Sequence, residues 1–212
     1  MDSIDHHLDT RVGKVVQHYE KCLDDEEGDS GQLVGWRNSA SQLVRFEVIQ
    51  QLVSGVSFSS ICDFGCGLGE YLHFLREHNF VGSYFGVDAS LQMVRRAQAI
   101  HRGDLEATFY QMTSPKSADL IVASGIFNVK LDQAEESWRK YVESNVSMMW
   151  ERGSVGMVFN ILSTVSDPSR RNPTLFYMSP VDLMHMCLRY SPDVRLAHHY
   201  GLYDSTIAVF RT

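Results

Sequence analysis

The run Ile61-Cys62-Asp63-Phe64-Gly65-Cys66-Gly67-Leu68-Gly69 has the make-up of a ligand loop. Glycines let a backbone approach a ligand closely and adopt positive φ. A loop between a strand and a helix N-terminus turns N–H groups toward whatever it binds. The spacing here is G-x-G-x-G, unlike the G-x-G-x-x-G of dinucleotide loops. Asp63 stands two positions before the first glycine, where a carboxylate repels a pyrophosphate and favours an ammonium group. Asp88 lies 19 residues beyond Gly69 and ends the next apolar run, Tyr84-Phe85-Gly86-Val87-Asp88. An acid at that place is positioned to take both hydroxyls of a ribose. Its other reading is an N-cap or turn residue, because Ala89-Ser90 opens a helix.

The surrounding elements make such a loop reasonable. Before it, Val12, Val15, Val16, Tyr19 and Leu23 recur at helical spacing over 11–23. Leu43, Phe46, Ile49 and Val53 do the same in a helix from about Ser39 to Val53. Residues 1–55 thus read as an N-terminal helical cap on a domain spanning 56–212. From there strands and helices alternate. Strands are expected at 60–64, 84–88, 108–110, 119–123 and 155–162. Helices are expected after Gly69, at Leu91–His101 with Ser90 as cap, over about 132–150, and from Pro180 to about Tyr190. Val194–Tyr200 and Tyr203–Phe210 close the chain with only a Gly201 turn between them, which makes the last pair an antiparallel hairpin. Alternating strand and helix means a parallel sheet. The expectation is an α/β, Rossmann-like, seven-stranded, mostly parallel sheet with helices on both faces and an antiparallel C-terminal hairpin.

Charge narrows the partners. The chain of 212 residues carries a net −7, and residues 1–30 hold nine acids against three bases. Most of that acidity is Asp24-Asp25-Glu26-Glu27-Gly28-Asp29, read as a solvated loop. The remainder is nearly neutral and has no basic stripe, so nucleic acid is not expected as a partner. No apolar run reaches membrane-spanning length, and the acidic start lacks the basic and apolar regions of a secretory signal. A cytoplasmic protein that does not bind membranes is expected. The four cysteines, Cys22, Cys62, Cys66 and Cys187, form no C-x-x-C pair and are expected as free thiols, with no metal site.

Asp63-Phe64-Gly65-Cys66-Gly67-Leu68-Gly69, followed by Gly86-Val87-Asp88-Ala89-Ser90 and Met93, resembles the class I S-adenosylmethionine-dependent methyltransferases. The pattern extends over about residues 36–212. The resemblance implies S-adenosyl-L-methionine as cofactor and S-adenosyl-L-homocysteine as product. It implies that Gly65, Cys66, Gly67 and Gly69 pass beneath the methionine and ribose. Asp63 would meet the amino group, Asp88 with Ala89 the ribose, and Met93 the adenosine. The family's usual Gly-Asp pair after the third strand is replaced here by Gln111-Met112-Thr113, which leaves Thr113 or backbone for the adenine. The resemblance also gives Arg45, with Tyr19 and Trp36 as further candidates, to the cofactor carboxylate. The alternative for Arg45 is an ion pair with Glu47 or Asp24.

Methyl transfer is an in-line displacement for which positioning and water exclusion matter most. Ligands of this architecture sit at the C-terminal strand ends. Ser124 and Gly125 are expected along the methionine, and Asn128 is a catalytic candidate that would orient an acceptor. Asn160 interrupts an apolar strand, a costly choice unless it is hydrogen-bonded. His198, His199 and Tyr177 are the other candidate catalytic side chains, the histidines as bases because their ordinary pKa is near neutral. The place of the metal-binding acid in catechol-type enzymes of this fold is held by Ser124-Gly125, so a metal-independent enzyme is expected. The expected acceptor is a small molecule methylated on oxygen or nitrogen, and a homodimer is allowed. Two alternatives remain open: a catalytically silent S-adenosylmethionine-binding protein, and a nicotinamide-dependent oxidoreductase.

Overall fold

In a computed structural model of the chain, residues 10–24 and 39–212 are described. Trp36 and the acidic residues 25–29 lie outside them. Strands β1 (Ser60–Phe64), β2 (Ser83–Asp88), β3 (Ala107–Gln111), β4 (Ala118–Ala123) and β5 (Gly153–Ser163) run parallel. After them come β6 (Tyr177–Met178), β7 (Asp193–His198) and β8 (Asp204–Phe210). The order is β3-β2-β1-β4-β5-β8-β7, with β6 paired to the end of β5. β8 is antiparallel to both β5 and β7, which is the terminal hairpin expected from the sequence.

Side chains alternate through this sheet and separate two cores, as the period of two requires. On one face Cys62, Ile121, Met157, Phe159, Ile207 and Val209 meet α5 (Glu135–Arg152) and α6 (Pro180–Leu188). On the other, Ile61, Leu120, Val122, Val158 and Ala208 meet α2 (Ser39–Leu52), α3 (Glu70–Glu77) and α4 (Leu91–Ile100). α2 buries Phe46 and Ile49 in that second core, and Val53 just after it does the same, so the helix is a layer of the sheet. The remaining helix, α1 (Thr10–Asp24), lies elsewhere: Tyr19 and Leu23 pack on Leu68 and Met93, beside the glycine loop. The two N-terminal helices therefore have different placements.

Local chemistry sets the boundaries of the last elements. β7 ends at His198 because His199 adopts φ 60 and Gly201 φ 83, which turn the chain into β8. The two-residue β6 is too short to carry a period. α6 begins where Ser179 caps the N–H of Val181 and Pro180 takes the first helical position, where a missing N–H costs nothing. Among the described residues no helix is long and apolar enough to cross a membrane.

Candidate active site

The strand order reverses beside β1, whose neighbours are β2 and β4. Such a switch point leaves a crevice at the C-terminal strand ends. Here it is a cavity of about 470 Å³, within the size range of small-ligand sites. The glycine loop forms its floor. Gly65 adopts φ 84, and a Cβ there would collide with Ile126.

The loop is not an anion cradle. The N–H groups of Gly65 and Cys66 both donate to the Val87 carbonyl, at 2.7 and 3.0 Å. Gly67 N–H donates to Oδ2 of Asp88 at 2.9 Å, and Gly69 N–H to the Cys66 carbonyl at 2.9 Å. A pyrophosphate would find these donors already engaged.

Two carboxylates border the floor. Asp63, buried at the end of β1, accepts a hydrogen bond from the Tyr84 hydroxyl at 2.6 Å. Burial pushes its pKa up to about 7; the Tyr84 bond opposes this and nearby Asp88 adds to it. Asp88 accepts from Gly67 N–H and, at 2.8 Å, from Ser90 N–H. Those bonds fix the carboxylate, while burial raises its pKa above the ordinary value. A buried carboxylate of raised pKa in a cleft is matched by a ligand that brings cationic charge.

α1 roofs the cavity. Glu20 accepts from the Ser90 hydroxyl at 2.7 Å at one end. At the other, Arg11 donates to the Ser137 carbonyl at 3.2 Å and Lys14 pairs with Asp132 at 2.7 Å. Val12, Val15, Val16 and Tyr19 face the interior between these anchors. The end of β4 forms a wall. Gly125 turns there with φ 90 and donates its N–H to Oδ1 of Asn160 at 2.8 Å. Nδ2 of Asn160 donates to the Ser124 hydroxyl at 3.0 Å. The buried asparagine in an apolar strand thus holds a cavity-lining turn.

The structure brings together Asp63, Gly65, Cys66, Gly67, Asp88, Ala89, Met93, Thr113, Ser124, Gly125, Asn128, Tyr19 and Arg45 around this one cavity. Gly69 lies behind it, as the residue before α3, packed near His101. Asn128 lines the cavity, but its Oδ1 accepts from Leu162 N–H at 3.1 Å. Arg45 lines it too, with its Nε on Asp204 at 2.5 Å and a second nitrogen on the Ser41 carbonyl at 2.6 Å. Among the described side chains its ion-pair partner is Asp204 and not Glu47, and the side chain of Asp24 lies outside them.

The three other catalytic candidates are not among the described cavity-lining residues. Nε2 of His198 bonds the Ser163 hydroxyl at 2.9 Å, and His199 sits in the hairpin turn. The Tyr177 hydroxyl accepts from Asn172 N–H at 3.0 Å. The cause is the hairpin: β8 enters between β5 and β7 and carries the histidine pair away with the outer strand.

Sequence reasoning missed Trp138 and Tyr141, read only as the buried stripe of a long helix, and Leu162 and Leu175. The signal for Trp138 was a polar N–H within an apolar stripe, since a buried indole needs an acceptor. It donates to the Phe127 carbonyl at 2.8 Å.

A family model described as a methyltransferase domain matches residues 62–144, the segment that carries both motifs. A Mycobacterium tuberculosis (strain ATCC 25618 / H37Rv) protein named "Putative methyltransferase Rv1506c" is 38% identical over 161 residues, 75% of this chain and 97% of that protein. The chain belongs to the class I S-adenosylmethionine-dependent methyltransferases. Solved methyltransferases share its fold. Magnesium protoporphyrin IX methyltransferase from Synechocystis PCC 6803, with bound S-adenosylhomocysteine, aligns at TM-score 0.61 and 13% identity over 95% of both chains. The N-methyltransferase NodS from Bradyrhizobium japonicum WM9, also with S-adenosylhomocysteine, aligns at TM-score 0.64 and 14% identity over 93% of this chain and 97% of that one.

The cofactor of this methyltransferase is S-adenosylmethionine. The donor set suits it: two carboxylates border the cavity, and the N–H groups of Gly65, Cys66, Gly67 and Gly69 are already engaged within the protein.

Proposed function

We propose that the protein methylates an oxygen or nitrogen of a small molecule, without a metal ion. When bound, the cofactor supplies an electrophilic methyl group on a sulfonium. The chain's residues bind, orient and exclude water. Asp63 receives the cofactor ammonium and Asp88 the ribose hydroxyls. Met93 and Thr113 flank the adenosine, and Ser124 and Gly125 border the methionine. The acceptor's lone pair forms the bond to the methyl carbon. The carbon–sulfur bond breaks with its electron pair left on sulfur, and the acceptor's proton leaves to water.

The observation that carries this reading is the placement of Asp63 and Asp88 on one cavity beside a loop whose four named N–H groups are engaged within the protein. Among the described residues, no three histidine, cysteine, aspartate or glutamate side chains stand together as a metal-ligand group. Ser124-Gly125 occupies the wall where catechol-type relatives carry an acid. Both features support metal independence. The near-neutral charge of residues 31–212 supports a small molecule over nucleic acid.

Calorimetry with S-adenosylhomocysteine and with NAD tests the site. Binding of the first and not the second is expected, and binding of NAD alone would overturn the reading. The placement of His198, His199 and Tyr177 outside the cavity favours a second reading, a silent cofactor-binding protein. Transfer of labelled methyl to any component of a metabolite extract excludes it.

A further inference from the structure

The cavity has two sides of different chemistry, and the side away from the glycine loop is apolar. Val12, Val15 and Val16 roof it, with Trp138, Leu162 and Leu175 around them. Known contacts tie these groups together. Val129 bridges to Leu175, Leu162 is bonded to Asn128, Trp138 to the Phe127 carbonyl, and α1 to α5 through Arg11 and Ser137. The polar atoms named here are thus engaged with backbone. The charged lining side chain nearest this side is Arg45, whose partner Asp204 lies opposite Leu162 in the sheet; it is a cation already paired with that carboxylate and offers an ammonium ligand no counter-charge. Trp138 and Tyr141, whose ring centroids are 4.7 Å apart, add flat aromatic surface.

These features select the acceptor. An alkylammonium placed here would be desolvated without a counter-charge, which is expensive. An aliphatic alcohol would need a base to become nucleophilic, and none of the described side chains on this side supplies one. A phenol, acidic at a pKa of about 10 like the tyrosine side chain, and a neutral arylamine each bring a usable lone pair. Rings also pack well against aromatic surface.

We infer that the acceptor is an uncharged, apolar aromatic molecule, methylated on a phenolic oxygen or aryl nitrogen and lodged between α1 and the Trp138–Leu175 wall. This inference rests on the methyl-transfer reading of the site.

Full-length protein saturated with S-adenosylhomocysteine is titrated with 4-butylphenol, 4-butylaniline, 4-butylbenzylammonium and a short single-stranded RNA, and binding is followed by ligand-observed NMR. The phenol, the aniline or both bind, and the two arms show which heteroatom the site prefers. The ammonium probe binds at least about tenfold more weakly, the effect of one unpaired buried charge at its mildest. Val15→Asp and Leu175→Asp each weaken the aryl probe by about tenfold or more, while S-adenosylhomocysteine affinity stays within about twofold. Cofactor affinity reports the fold of each variant, and Leu175→Asp carries the comparison if Val15→Asp does not fold. Ammonium binding as tight as the phenol's, RNA binding without aryl binding, aryl binding unchanged in both variants, or no aryl binding by cofactor-saturated protein each overturns the acceptor inference alone. Failure of the wild type to bind S-adenosylhomocysteine overturns the methyl-transfer reading, and the inference falls with it.

Discussion

Nε of Arg45 lies 2.5 Å from Oδ2 of Asp204, joining α2 to the first residue of β8 across 159 positions of sequence. Both side chains are buried, and Oδ1 of Asp204 has no hydrogen-bond partner. Burial raises the Asp204 pKa against the pull of Arg45. A pair in this setting contributes little net energy while intact, but removing one partner leaves a buried charge uncompensated, at a cost of about 3–5 kcal/mol. Asp204→Ala should therefore lower the denaturant midpoint sharply. Arg45→Met combined with Asp204→Leu should recover much of the loss. Equal destabilisation by the single and double variants would show that the pair is not coupled.

The same pair bears on cofactor recognition. Asp204 already offsets the guanidinium, so Arg45→Met should weaken S-adenosylmethionine and adenosine by similar factors. Competition against S-adenosylhomocysteine measures both. A loss confined to S-adenosylmethionine would place the guanidinium on the cofactor carboxylate, the role that the family resemblance implied.

Asp63 should make cofactor affinity depend on pH. Its carboxyl is raised from 3.8 to about 7, so between those values the folded protein holds a proton that the unfolded chain has released. Stability of the free protein consequently falls as pH rises through that window and is level above it. An ammonium ligand requires the ionised carboxylate. Affinity for S-adenosylhomocysteine should then rise up to about pH 7 and flatten, with proton release at lower pH. Calorimetry in buffers of differing ionisation enthalpy measures that release. Asp63→Asn should reduce the pH dependence; a profile identical to wild type would remove Asp63 from the ammonium site.

How much of this was legible in the sequence follows from which interactions are local. The glycine loop, the acids Asp63 and Asp88, and the Ser90 cap are short-range features. The terminal hairpin was legible because only Gly201 and its neighbours separate two apolar runs. The Arg45–Asp204 pair was not, because nothing near either residue records the other. His198 and His199 looked catalytic by type, yet only the insertion of β8 between β5 and β7 decides where they point. Trp138 and Tyr141 follow a core helix's period, and the sequence does not show that their turn of α5 ends against a cavity. The roof on α1 depends on single contacts such as Glu20 to Ser90 and Arg11 to Ser137, which carry no periodic signal.

That roof should be separable from the fold. Among the described residues, the two large cores take only Val15 from α1, as a partly buried neighbour. Removing residues 1–30 should leave the circular dichroism of the sheet domain largely intact. It should also abolish most methyl transfer, because the sulfonium would stand open to water. Full activity in the truncated chain would show that α1 is an appendage.

Asn160 provides the finest test of how the wall is held. It is fully buried, and its amide satisfies the N–H of Gly125 and the hydroxyl of Ser124 together. Replacing it by leucine preserves apolar volume but strands the Gly125 N–H, at about 1–3 kcal/mol for an unsatisfied buried donor. Asn160→Asp keeps an acceptor for that N–H and loses the donor to Ser124, so it should fall between leucine and wild type in cofactor affinity at a pH where the carboxyl group remains an acceptor. Because the turn borders the cavity, the loss should appear in S-adenosylhomocysteine affinity as well as in the melting temperature. A leucine variant that melts early but binds the cofactor normally would show that Asn160 supports the strand and not the site.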